Sequence, residues 1–104
     1  MKSKFLQIYT TTDSKKIAKK IALTLVKEKL AACVQITGPI KSIYRWKGKV
    51  ENAREWLCII KCRAKQFRKI EARIKQIHTY QIPEIVAIPI AGGSPDYLNW
   101  LNED

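Results

Sequence analysis

"EWLCIIKC", residues 55–62, is the stretch on which the fold turns. Read as a strand, it alternates, so Trp56, Cys58 and Ile60 project to one face and Leu57 and Ile59 to the other. Both faces are apolar and both need burial. "IVAIPI", residues 85–90, repeats the pattern, with Pro89 placing its strand at a sheet edge or a bulge. Upstream lie "FLQIYTT" (5–11), then "CVQI" (33–36) and "KSIYRW" (41–46), which lead through "KGKVEN" (47–52) into the quoted strand.

Two stretches between these strands carry helical spacing. "SKKIAKKIALTLVKEKL" (14–30) follows Asp13 or Ser14 as cap, and in "KQFRKIEARIKQI" (65–77) Phe67, Ile70, Ile74 and Ile77 form one stripe. The order is β-α-β-β-α-β, the α+β ferredoxin-like sandwich, and "SPDYLNWL" (94–101) adds a short C-terminal helix capped by Ser94. Tyr97 and Trp100 are expected to staple that helix to the body. The 104 residues are expected to form a single domain, 1–104, with no repeat or linker. Two helices cover one side of the sheet only, so a symmetric oligomer packing sheet against sheet is expected.

Composition excludes several classes. At 46 % hydrophobic and 28 % charged residues the chain is globular rather than disordered. Its longest apolar run is seven residues, against the roughly 20 of a membrane helix, and "MKSKFLQIYTTT" lacks a signal-like apolar core. No membrane partner and a cytoplasmic location are therefore expected. Three cysteines, an odd number set in apolar contexts, fit a reducing compartment. Cys58 and Cys62 stand about 13 Å apart along one strand, too far for a shared bridge or metal. A net charge of +11 predicts weak, salt-sensitive attraction to polyanions but no sequence-specific nucleic-acid binding. There is no nucleophile elbow and no glycine-rich phosphate loop, so no enzyme is expected. "YTTTDSKK" (9–16) reads as helix capping rather than an anion site.

Five blocks, "EKLAACVQI" (28–36), "SIYRWKGKVE" (42–51), "EWLCIIKC" (55–62), "HTYQIPEIVAIPI" (78–90) and "DYLNWL" (96–101), together resemble the CutA family of divalent-cation tolerance proteins over essentially the whole chain. The resemblance implies a homotrimer of ferredoxin-like subunits, similar to the PII signalling proteins, with a role in tolerance of copper and other divalent cations. The chain departs from the usual pattern at Gln35, Cys62 and Thr79.

The candidate sites follow. His78, the only histidine, falls at the end of the second helix, where it can cap carbonyls; with Glu84 and Cys33 it would offer N, O and S donors, types that include those suited to copper. Such a site predicts weak to moderate metal binding and no metal requirement for folding. Tyr44 and Trp46 are candidates for the wall of a cleft between subunits, or for packing across the same interface. Glu55 and Lys61 share a strand face about 20 Å apart, so each needs a partner elsewhere. The alternative to a metal role is a PII-like sensor or scaffold that takes a small molecule or protein in those clefts.

Overall fold

A computed structural model describes residues 3–103. Its elements are β1 (Phe5–Thr12), α1 (Lys15–Lys27), β2 (Cys33–Trp46), β3 (Lys49–Arg63), α2 (Phe67–Ile77), β4 (Val86–Pro89) and α3 (Pro95–Leu101), with a 3-10 turn, Ala64–Gln66, leading into α2. This is the ferredoxin-like order. The four strands make one antiparallel sheet in the order β2-β3-β1-β4. Pro89 thus lies in an edge strand, where its missing N–H breaks no inner ladder.

Register assigns the faces. Ile8, Cys58, Ile60 and Cys62 point to the helix side and join Ala18, Ile21 and Leu25 of α1 and Ile70 and Ile74 of α2 in one buried core. Each fully buried isoleucine or leucine there contributes about 1.5–3 kcal/mol. The opposite face carries Tyr9, Leu57, Ile59, Val86 and Ile88, and none of these is fully buried. The second apolar face read from "EWLCII" is therefore only partly covered by the chain's own elements, and Val86 and Ile88 on it stay exposed.

The helices start and stop for local reasons. The Ser14 side chain accepts from the Ile17 N–H at 3.2 Å, which is capping, and the Thr12 hydroxyl accepts from the Ser14 N–H. At the other end of α1, the Leu30 N–H bonds to the Leu25 carbonyl and the Lys29 N–H to that of Val26, a Schellman closure that holds Lys29 at φ 59°. Glycine is favoured at that position, so Lys29→Gly is expected to raise stability by about 0.5–1 kcal/mol, read as a higher thermal midpoint. α3 departs from expectation. Its anchor is the buried Leu101, while Tyr97 and Trp100 stack on each other at 5.6 Å and stay exposed.

β2 and β3 also differ from the sequence reading. "CVQI" and "KSIYRW" belong to one 14-residue strand, because a bulge between Thr37 and Ile40 absorbs Gly38 and Pro39 and the ladder with β3 continues beyond it. Lys47 and Gly48, both at positive φ, close the hairpin in the manner of a type I′ turn. β1 pairs only with residues 56–63 of β3, so the remainder of the hairpin projects as an arm bearing the exposed Ile43 and Val50.

Candidate functional site

Where the arm leaves the sheet, a cavity of about 650 Å³ opens. One wall is Ser42, Ile43, Tyr44 and Trp46 of β2, the other is the segment Tyr80–Glu84 between α2 and β4, and Thr11 and Glu55 close it from the sheet.

His78 holds the second wall in place. Its backbone N–H donates to Ile74 as the α2 C-cap, but its ring crosses to the sheet instead of capping helix carbonyls. Nε2 lies 2.7 Å from the Thr11 carbonyl oxygen, and Nδ1 accepts the Tyr80 N–H at 3.1 Å. A carbonyl only accepts, so Nε2 carries the proton and Nδ1 is bare: both nitrogens are used. The Tyr80 ring tilts over the imidazole at 4.6 Å, and its hydroxyl donates to Glu55 Oε2 at 2.7 Å. Burial, followed by the Glu55 hydrogen bond, raises the Tyr80 phenol well above its ordinary value, so it remains a donor at physiological pH. A chain of contacts thus runs from β1 through His78 and Tyr80 to Glu55 on β3.

Glu55, only 6 % exposed, finds its partner in Tyr80 on the loop after α2. Lys61 lies elsewhere on β3, its Nζ 5.5 Å from the centre of the Tyr97 ring. Glu84 reaches Thr11 by a long contact of 3.5 Å from the Thr11 hydroxyl.

The three metal-donor candidates do not converge within one chain. His78 and Glu84 both meet Thr11, but Cys33 pairs with Lys61, which pairs with Gln7, four residues from Thr11 and two strands over. That separation is on the order of 16 Å. Among the described residues no group of three or more His, Cys, Asp or Glu could hold a metal ion. Together with the saturated imidazole, this set does not fit a resident metal.

Comparison with known proteins places the chain. The model of the family described as "CutA1 divalent ion tolerance protein" matches residues 6–104. The chain belongs to that family. It is 45 % identical to a divalent-cation tolerance protein CutA of Thermus thermophilus, over 93 % of this chain and 94 % of that one. It is 44 % identical to a chloroplastic CutA of Arabidopsis thaliana over 90 % of its own length, but spans only 52 % of that relative. Among solved structures, CutA1 of the psychrotrophic bacterium Shewanella sp. SIB1 superposes with a TM-score of 0.93 at 40 % identity, covering 97 % of this chain and 94 % of that one.

Of the residues that line the cavity, the sequence pointed to Tyr44, Trp46 and Glu55 for a cleft and to Glu84 only as a metal donor; Lys61, also expected at the cleft, lies outside it, and Tyr80 and Thr11 were missed. Tyr80 had a local signal, since it stands two residues past the lone histidine at a helix end. Thr11 contributes a backbone carbonyl, which no residue type announces.

The three thiols divide by environment. Cys58 and Cys62 are buried, and burial raises each thiol to about 11. At pH 8 about a thousandth of each is thiolate. Both are expected to resist a disulfide reagent in the native protein and to react on unfolding, as a spectrophotometric thiol count would read; rapid native labelling of either would contradict the packing described.

Proposed function

We propose that this protein serves divalent-cation tolerance as a cytoplasmic homotrimer, a single domain over residues 1–104, whose working site is the cavity between Tyr44 and Tyr80. The single observation that carries the reading is the cavity itself: about 650 Å³, walled by Tyr44, Trp46 and Tyr80, with Glu55 and Glu84 as fixed polar groups. Pockets of this size and make-up suit a small organic molecule. The activity proposed is binding rather than catalysis. The apolar face that Tyr9, Leu57, Ile59, Val86 and Ile88 leave incompletely covered supports the trimer, and three unpaired thiols support a reducing compartment. Among the described residues no helix is long and apolar enough to cross a membrane.

Copper enters as the stress to which the protein responds, or as a weakly held ion. The half-buried Cys33 at the start of β2 offers one soft donor, and Glu84 of a neighbouring subunit would have to complete the set, since both nitrogens of His78 are already bonded.

Calorimetric copper titration of wild type, Cys33→Ser and His78→Ala tests this. Copper affinity is expected to be unchanged by His78→Ala, because both imidazole nitrogens are already bonded. That same variant is expected to lose about 1–3 kcal/mol of stability by stranding the Thr11 carbonyl and the Tyr80 N–H. A tenfold or greater loss of copper affinity in His78→Ala at intact assembly would restore the imidazole as a ligand and displace the cavity as the working site.

A further inference from the structure

The charges around the cavity are unusual for this chain. Of 104 residues, 20 are lysine or arginine and 9 are aspartate or glutamate, yet the cavity lining contains two carboxylates, Glu55 and Glu84, and no lysine or arginine. The side-chain cations that pair among the described residues do so elsewhere: Arg73 with Glu28, and Arg68 and Lys75 with Glu71. Glu55 is 94 % withdrawn from solvent, and its one hydrogen-bond partner is the neutral Tyr80 hydroxyl, on Oε2. Among the described residues Oε1 has no partner, although it keeps some contact with solvent. A carboxylate so enclosed ordinarily has a cation or several donors beside it.

The walls favour one class of cation. Tyr44, Trp46 and Tyr80 present aromatic rings, which attract ammonium and guanidinium groups through their electron-rich faces. Lys47, next to Trp46 in the hairpin turn, holds its Nζ 5.7 Å from that ring's centre, within the range of such attraction. A bare metal ion is a poor match, since the cavity far exceeds one ion and the acids do not gather with other ligands.

We propose that the cavity binds an organic cation, an ammonium or guanidinium group on an apolar or aromatic body, with Glu55 facing the charge and Tyr44 and Trp46 flanking the body. This rests on the cavity being the protein's binding site.

The test is calorimetry on the full chain with three probes of one shape: phenethylammonium, neutral 2-phenylethanol and anionic phenylacetate. The ammonium is expected to bind at least tenfold more tightly than the alcohol, and phenylacetate not at all. Glu55→Gln retains an acceptor for Tyr80 and so protects the fold, which a thermal midpoint checks. It is expected to weaken the ammonium at least tenfold and leave the alcohol unchanged. Equal binding of ammonium and alcohol, unaffected by Glu55→Gln, would keep the cavity as a binding site and overturn the cation. Binding of no probe at millimolar concentration would overturn both. If the ammonium fails to bind and Glu55→Gln lowers the assembled mass, a neighbouring chain supplies the cation, and a free ligand is overturned.

Discussion

Ile59→Lys is expected to convert the protein from a species of three times the 12.0 kDa chain mass into single chains, as measured by light scattering on a sizing column. Ile59 stands on the central strand β3, facing Tyr9 on one side and Gln35 on the other, on the sheet face that α1 and α2 leave open. Ile59 is already partly buried in the single chain, so a closed trimer buries only the rest of its side chain, and the larger effect of the lysine is the cost of three enclosed ammonium groups, on the order of several kcal/mol. The helix-side core does not contact this position, and the variant chain should keep its helical circular dichroism. A wild-type monomer at micromolar concentration would defeat the trimer outright. An unchanged mass in Ile59→Lys would show that assembly uses another surface.

The second large effect is expected at Gly38. A methyl group there would lie 2.9 Å from the Glu55 carbonyl oxygen, 3.0 Å from the Trp56 Cα and 2.7 Å from its Cδ1, with the glycine at φ +156°. Two of the three obstacles are backbone of the central strand, which cannot yield without disturbing the ladder on both sides. Gly38→Ala is therefore expected to cost about 3 kcal/mol or more. For a chain of this length that corresponds to a fall of roughly 15 °C in thermal midpoint. A midpoint within 2 or 3 °C of wild type would mean that β2 and β3 separate there at little cost.

Gly38 also shows where sequence reading stops. The stripe Phe67, Ile70, Ile74 and Ile77 and the Ser94–Pro95 helix start were legible because their physics is local, set by spacing and by capping within one turn. The alternation of "EWLCII" was legible for the same reason, since it places Cys58 and Ile60 in the core and Leu57 and Ile59 on the face that the helices leave. The bulge was not legible: glycine and proline in sequence read as a break, and only the register with Leu57 and Glu55 shows that the strand resumes. The role of His78 was half legible. Its place at a helix end follows from the stripe, but its partner, the Thr11 carbonyl, lies 67 residues away in β1, a pairing its residue type does not announce. Glu84 and Cys33 illustrate the same limit, since neither spacing nor composition reveals that β3 and β1 stand between the thiol and the imidazole.

The two walls of the cavity are held by ladders of different length. Tyr44 and Trp46 sit in a ladder of 14 and 15 residues, while the wall from Tyr80 to Glu84 hangs between a helix end and β4, an edge strand of four residues paired only to β1. Both ladders lie at sheet edges, since the arm that carries Tyr44 and Trp46 pairs with β3 alone, but one is several times longer than the other, and amide exchange would read how often each opens. An occupant that bridges both walls would tie the four residues Val86–Pro89 to the longer β2-β3 ladder, and slower amide exchange in that short strand on binding is the expected sign of it.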